Sequence, residues 1–286
     1  HTLSPNDDFY IKIIKELKNI ESLKFISNQR INQLASISWH SSHLRKLIYN
    51  WPEDVLEILS GKNKSLYKNI NSSLDNIINF DECFLRKILR EHRNRISLYC
   101  ALNECLILER PSSIWEQMSK AAEKAISTTL IWLINYYFKN KLININKINF
   151  NGLTVLALGK LGGNELNYSS DIDLIFIFSP EKSNLSFDKA NKVYINLTRK
   201  FIDIMEKPDA NGVAWKIDLR LRPDAGTTSI AISEDAAILY YESIARTWER
   251  AAFIKARTIA GNKNMGDNFL TIISSFIWRK FLDYSV

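Results

Sequence analysis

The sequence has few of the features that mark disulfide-rich, zinc-binding or membrane proteins. Cys83, Cys100 and Cys105 are its three cysteines and form no CxxC pair, so neither a disulfide framework nor a zinc site is expected and a reducing cytoplasm fits best. No run approaches the roughly 18 apolar residues that span a bilayer, and no charged segment followed by an apolar one opens the chain. We therefore expect a soluble cytoplasmic protein with no membrane contact. The start at His1 rather than Met suggests a fragment of a longer protein.

Size and charge restrict the fold and the ligands only broadly. A chain of 286 residues predicts one large or two moderate domains, and 46% hydrophobic with 24% charged residues is ordinary for a soluble globular protein. The net charge of +7 suits an anionic ligand such as a nucleotide, phosphate or an acidic protein surface. The positive charge is too small and too dispersed to require nucleic acid, for which a salt-dependent affinity for RNA would be the sign.

The first half of the chain reads as helical, from Asp7 to about Lys141. Phe9, Ile13, Leu17 and Ile20 recur at helical spacing and predict an apolar stripe. Further helices are expected after Pro52 and on both sides of Pro111, with a buried helical segment over 126–138. The stretch 61–73 has few large apolar residues and predicts an exposed connection. A polar linker over 141–151 precedes a region in which strands alternate with helices.

Two groups of polar residues in the helical region each allow two interpretations. His40 and His43 stand at helical i, i+3 spacing and could share a metal ion, although no third ligand is evident and a surface or capping role is commoner. Arg86, Arg90 and Arg93 fall on one face of a predicted helix. That face is either solvated or in contact with an anionic partner.

The segment 153–178 carries the clearest chemical pattern. It reads as an apolar strand, a glycine turn at Gly162 and Gly163, a polar loop, and a second strand that opens with Asp171 and Asp173. Alternate side chains of a strand share a face, so the two carboxylates are expected to project together. A divalent cation usually compensates such a pair, and glycine N–H groups can approach a phosphate closely.

A further strand, after the two in 153–178, is expected over 213–223, where apolar and charged residues alternate. Asp218 lies on its charged face with Lys216, Arg220 and Arg222. A two-metal nucleotidyl-transfer site requires carboxylates from adjacent strands, and Asp218 would supply the third. Lys255 and Arg257 could add charge for phosphates. They end a stretch in which a helix is expected to begin at Glu234 and to continue through Trp248 toward Arg257. In the alternative interpretation, the aspartates cap loops and the glycines only turn the chain.

The sequences of three long blocks resemble the glutamine synthetase adenylyltransferase/adenylyl-removing family, a branch of the DNA polymerase β-like nucleotidyltransferases. The blocks are LGKLGGNELNYSSDIDLIF, KIDLRLRPDAGTTSIAIS and YYESIARTWERAAFIKARTIAG. The resemblance extends upstream to the helical segment 31–59 and downstream to FIWRKFLDY. It implies an α+β fold, with a helical N-terminal region (1–145), a nucleotidyltransferase domain with a small mixed sheet flanked by helices (146–270), and the start of a further helical segment (271–286).

The resemblance also implies roles for individual residues. Asp171, Asp173 and Asp218 would be the catalytic, metal-binding carboxylates for Mg²⁺ or Mn²⁺. The nucleotide phosphates would be lined by Gly162, Gly163 and Ser170, with weaker candidates in Lys160, Arg220, Arg222, Lys255 and Arg257. No Walker pattern surrounds Lys160, so a P-loop is not expected. Trp248 and Glu249 belong to the same family block, but a core tryptophan and a structural ion pair explain them equally well.

The activity that the resemblance implies has two directions. Members of the family attach AMP from ATP to a tyrosine of glutamine synthetase, or remove it by phosphorolysis and release ADP, under the influence of glutamine and a PII-type signal protein. The family carries two nucleotidyltransferase domains in one long polypeptide. The sequence NYSSDIDLIF, together with the long helical segment before it, resembles the N-terminal, adenylyl-removing domain more closely. We therefore expect a deadenylylating enzyme that regulates nitrogen assimilation. The alternatives are the ATP-dependent transferring activity and a non-catalytic regulatory module that binds nucleotide.

Overall fold

The computed structural model describes residues 8–140 and 152–278. Its strands are β1 (Leu153–Ala157), β2 (Ile172–Phe178), β3 (Ile217–Asp218), β4 (Ala231–Ser233) and β5 (Arg257–Gly261). Its helices are α1 (Asp8–Asn19), α2 (Asn28–His40), α3 (Ser42–Asn50), α4 (Pro52–Leu59), α5 (Asn63–Ser72), α6 (Glu82–Leu102), α7 (Pro111–Lys139), α8 (Gly159–Gly162), α9 (Pro180–Ser183), α10 (Phe187–Glu206), α11 (Glu234–Ser243), α12 (Thr247–Phe253), α13 (Lys263–Ile272) and α14 (Ser274–Ile277). Among the described residues, no helix combines the length and the apolar character that crossing a membrane requires.

The chain divides into two compact units. One comprises His1–Ser73 and Glu91–Gln117, and the other Leu74–Arg90 and Met118–Val286. The predicted linker 141–151, and with it the domain boundary predicted between residues 145 and 146, lies outside the described residues. The boundary predicted between 270 and 271 falls within α13. The domain division inferred from the sequence therefore stays a prediction.

The first unit is helical, as the sequence predicts, but two details differ. Ile13 and Leu17 of the predicted stripe are buried in α1. The stretch expected to be an exposed connection contains α5 instead, because Leu66 and Ile70 stand four residues apart and bury one face of that helix. The helical spacing proposed for the two histidines is also wrong: His40 ends α2, and the Ser41 side chain then caps a new helix by accepting from the Leu44 N–H.

In the second unit, a buried arginine organises the turn that precedes β3. Arg90 of α6 has a side chain only 1% exposed and donates to the carbonyl oxygens of Ile204, Lys207 and Gly212. Its Nε also lies 3.1 Å from an Asp209 carboxylate oxygen. Both sequence interpretations of this basic face are therefore wrong for Arg90, which neither faces solvent nor awaits an external anion.

The five strands form one small mixed sheet in the second unit. β1 pairs antiparallel with β2 on one side and with β5 on the other, while β3 and β4 pair in parallel with successive parts of β2. The β2–β3 register places Asp173 opposite Asp218. The α+β class and the small mixed sheet expected from the sequence are confirmed.

Both faces of β2 are buried, which explains its unbroken apolar run. Phe176 and Phe178 pack against α10, with the Phe176 ring 5.2 Å from Phe201 and the Phe178 ring 5.4 Å from Tyr194. On the opposite face, Ile175 and Ile177 join a core with residues of α11, α12 and α13. This layering fixes β2 firmly, so its first residues are rigidly placed at the edge of the core.

Two predicted elements of the second unit are shorter than expected. The strand expected over 213–223 pairs only at Ile217 and Asp218, and the chain turns away immediately after Leu219. The helix expected to run from Glu234 past Trp248 ends at Ser243 and restarts as α12. Trp248 is 53% exposed, so it is not a core tryptophan.

Candidate active site

Three carboxylates meet where β2 and β3 begin. Asp171 immediately precedes β2, Asp173 is the second residue of that strand, and Asp218 is its register partner on β3. The parallel pairing is extended by the Ile172 N–H, which donates to the Lys216 carbonyl at 2.9 Å. The expectation that Asp218 lies on the strand adjacent to the Asp171–Asp173 pair is confirmed.

The neighbouring carboxylates act against the negative charge of Asp173. Burial is the largest cause that raises the pKa of Asp173, and the charges of Asp218 and then Asp171 raise it further. Arg220 and Lys160 act in the opposite direction without reversing the shift. A divalent cation would remove this repulsion, and carboxylate oxygens are the ligands that Mg²⁺ and Mn²⁺ prefer. In residue type and backbone placement, the site therefore fits such a cation.

The carboxylates do not form a ready metal cage in the conformation present. Within 8–140 and 152–278, no group of three or more His, Cys, Asp or Glu side chains is arranged to hold one metal ion. Asp218 is instead bound by Arg220, whose Nε lies 2.8 and 3.0 Å from its two carboxylate oxygens. Hydrogen bonds from Arg220 hold the pKa of Asp218 below its ordinary value. A cation at Asp218 would therefore compete with Arg220 for this carboxylate.

An open cavity adjoins the carboxylates. Its volume is about 450 Å³, within the range of roughly 300–1,000 Å³ that small-molecule sites occupy. Asp171 and Asp218 line it together with Lys216, Arg220 and Arg222. A metal-bound polyphosphate requires both carboxylates and cations around it, and both line this cavity.

The glycine pair differs from the predicted phosphate cradle. The N–H groups of Gly162 and Gly163 donate to the carbonyls of Leu158 and Gly159 at 2.8 and 3.1 Å, so both are used within α8. A Cβ on Gly162 would lie 2.3 Å from the Lys255 carbonyl oxygen. These glycines therefore permit close packing of α8 against the segment before β5, and the two N–H groups do not form the cradle. Their contact with a nucleotide stays a prediction.

Sequence reasoning overlooked Gly159, the glycine that contacts the carboxylates. Its φ is +54°, a conformation that favours glycine, and a Cβ there would lie 2.3 Å from Asp173 Oδ2. Glu206 was also missed. It lines the cavity, and its side chain accepts from the Ile217 N–H at 2.6 Å, which fixes the start of β3. The sequence signal for Gly159 is its place directly after an apolar strand.

Two of the predicted basic residues are committed to the protein itself. Arg222 donates to the backbone carbonyls of Leu219, Ala225, Thr228 and Ser229 and so holds the loop 223–229 around its guanidinium. Arg257 donates to the carbonyls of Leu161 and Gly162 and to Glu123, which ties down the end of α8. Neither guanidinium is freely available to a phosphate.

The other phosphate candidates lie nearer to solvent. Lys160 is exposed and close enough to lower the pKa of Asp173. Lys255 forms a surface ion pair with Glu165, with Nζ and Oε2 2.6 Å apart. The Ser170 hydroxyl donates to the Asn167 side chain at 2.6 Å. Glu249 is buried and accepts from the Tyr240 hydroxyl at 2.9 Å and from the Arg246 N–H at 2.7 Å, so the contacts described for it are hydrogen bonds and the expected ion pair stays a prediction.

Comparison with known proteins gives consistent results. The family model of glutamate-ammonia ligase adenylyltransferase matches residues 31–272. Relatives named bifunctional glutamine synthetase adenylyltransferase/adenylyl-removing enzyme include proteins of Rhizobium meliloti (49% identical; 47% of this chain, 14% of the relative), Agrobacterium fabrum (40%; 69% and 20%) and Bartonella henselae (33%; 94% and 29%). The chain thus spans less than a third of the length of these relatives. The family match covers most of the helical segments and the carboxylate site, and the chain belongs to the glutamate-ammonia ligase adenylyltransferase family.

Proposed function

We propose that this chain is an adenylyl-removing nucleotidyltransferase domain that acts on adenylylated glutamine synthetase. The observation that carries the proposal is the β2–β3 register, which brings Asp173 and Asp218 to adjacent strands beside Asp171. Relatives whose names include both the adenylyltransferase and the adenylyl-removing activity support the substrate. The helical segment before the sheet and the wording of the β2 block favour removal over attachment.

The reaction balances with inorganic phosphate as the second substrate. A phosphate oxygen attacks the adenylyl phosphorus in line, the bond from that phosphorus to the tyrosine oxygen breaks, and the tyrosine oxygen takes up a proton. The products are ADP and unmodified glutamine synthetase. Mg²⁺ or Mn²⁺, when bound, would polarise the phosphoryl oxygens and offset the charge that develops on them.

The protein residues would bind and orient the reactants. Asp171, Asp173 and Asp218 would hold the cation at the edge of the sheet. Lys160 and Arg220 are exposed near these carboxylates and would attract the phosphate groups. The open cavity beside Asp218 would admit the nucleotide. We further propose that the enzyme is cytoplasmic and that a PII-type signal protein influences its activity.

One assay separates the possible directions. The protein is mixed with adenylylated glutamine synthetase, phosphate and Mg²⁺, and ADP release is measured, with the Asp171→Asn variant as the inactive control. ADP from the wild type alone supports the proposal. If ADP is absent, and ATP with unmodified synthetase yields the AMP-tyrosine adduct, the transferring activity replaces it. Rates that are unchanged in Asp171→Asn would indicate a module without catalysis at this site.

A further inference from the structure

Arg220 differs from its neighbours in how it is held. Every side-chain hydrogen bond described for it goes to Asp218, through both Nε and Nη2. The Arg220 backbone N–H donates to the same carboxylate at 2.8 Å. The Arg220 side chain is nevertheless 83% exposed, whereas that of Asp218 is only 12% exposed. The carboxylate is therefore fixed in the protein, and the guanidinium approaches it from the solvent side.

This asymmetry allows the guanidinium to leave without disturbing the fold. The guanidinium end of the pair is 83% exposed, so water solvates it well after release, and a bound cation would replace it as the partner of the mostly buried Asp218. Arg222, two residues further on, provides the contrast, since its departure would break hydrogen bonds to four backbone carbonyls. Of the hydrogen bonds described for Arg220, its release breaks only those with Asp218.

We propose that Arg220 is an exchangeable counter-ion of Asp218: it neutralises the carboxylate when no divalent cation is bound and is displaced when one binds. The inference rests on the proposed metal site, because Asp218 is one of its expected ligands. The Arg220 guanidinium contacts both carboxylate oxygens of Asp218, so a divalent cation competes with it for these oxygens and is repelled by its positive charge. Arg220 therefore weakens metal binding. When a metal ion displaces it, the Arg220 guanidinium becomes available to a phosphate in the adjoining cavity, which Arg220 also lines.

Mn²⁺ affinity tests the competition directly, and no turnover is required. Free Mn²⁺ is measured by electron paramagnetic resonance in titrations of the wild type, Arg220→Gln and Arg220→Lys. Arg199→Gln is the matched control, because Arg199 is another exposed arginine of the second unit and donates to Asn196 instead. We expect Arg220→Gln to bind Mn²⁺ roughly two- to fivefold more tightly than the wild type. Arg220→Lys should fall between, since lysine keeps the charge but lacks the planar fork.

The outcomes separate this inference from the proposed function. If Arg220→Gln binds Mn²⁺ no more tightly than Arg199→Gln, the counter-ion role is overturned. The metal site still stands in that case, provided that the wild type binds Mn²⁺ and Asp173→Asn does not. Absence of Mn²⁺ binding in the wild type and in every Arg220 variant would instead remove the metal site itself, and the inference with it.

Chemical modification of Arg220 gives a second readout. Phenylglyoxal reacts with accessible guanidinium groups, and the modified residue is identified by peptide mass spectrometry. We expect Mg²⁺ to accelerate modification of Arg220 and to leave Arg199 unaffected, because only Arg220 loses a carboxylate partner. An Arg220 modification rate that is independent of Mg²⁺ would contradict the proposal.

Discussion

At the scale of single residues, Gly159 determines how closely the chain approaches the carboxylates. It joins the loop after β1 to α8 with φ at +54°, and no room exists for a Cβ beside Asp173 Oδ2. A side chain at this position would therefore meet two costs: backbone strain and a clash with a proposed metal ligand. The tight turn is what allows Asp173 to lie against the backbone.

Gly159→Ala separates these two costs when it is compared with Gly61→Ala. Gly61 also has positive φ, at +77°, but no atom lies within 4 Å of a Cβ built there. Both variants should lose roughly 1–2 kcal/mol of stability from backbone strain. Only Gly159→Ala should also weaken Mn²⁺ binding, on the order of tenfold or more, because Asp173 must move. Equal Mn²⁺ affinities in the two variants would show that Gly159 does not position Asp173.

The sequence predicts which carboxylates lie together better than it predicts the backbone geometry around them. Asp171, Asp173 and Asp218 could be found because strand alternation fixes which residues share a face, and the register then brings Asp173 and Asp218 together. The roles of Gly159 and Gly162 could not be found, since backbone angles and packing distances depend on partners distant in sequence. The same limit applies to Arg90, whose charged side chain in a basic helix gave no sign of burial.

At the scale of elements, alternation is a reliable signal only where a strand has neighbours along its whole length. β2 alternates between two buried faces and pairs over seven residues, as expected. The segment 213–223 alternates equally well, yet it forms only the two-residue β3. Its charged residues are used differently: Arg222 turns back to bind the carbonyls of the following loop. The polar half of an alternating pattern can therefore organise a loop as well as an exposed strand face.

Arg222→Lys tests whether this arginine orders the loop 223–229 or serves as a phosphate ligand. Lysine keeps the charge but cannot donate to several carbonyls in a planar fork. We expect faster subtilisin cleavage within 223–229 and a loss of about 1–3 kcal/mol in stability, because partly buried backbone carbonyls lose a charged donor. Arg199→Lys serves as the control, since its loss should leave this loop intact. If Arg222 is instead a phosphate ligand without a role in the loop, Arg222→Lys should raise the KM for phosphate and leave the cleavage pattern unchanged.

At the scale of the whole molecule, repulsion within the carboxylate cluster is expected to lower stability when no cation is bound. Asp173 is partly buried, and the charges of Asp218 and Asp171 act against its ionised form. The core beneath it is well packed on both faces of β2, so the fold can accommodate this local repulsion. A bound cation would remove the repulsion and contribute its own binding free energy to the folded state.

Asp173→Asn should therefore have opposite effects with and without metal. At pH 7.5 without a divalent cation, the variant should be more stable than the wild type by about 0.5–2 kcal/mol, because a repelled charge is removed. The wild type should gain about 2.7 kcal/mol when Mn²⁺ reaches one hundred times its Kd, and the variant should gain much less. Chemical denaturation with and without Mn²⁺ measures both quantities.

Asp188→Asn, which removes an exposed carboxylate from the first turn of α10, should gain no stability without metal and should keep the full response to Mn²⁺. An Asp173→Asn variant that is destabilised without metal, or that responds to Mn²⁺ as the wild type does, would show that Asp173 is a structural carboxylate and not a metal ligand.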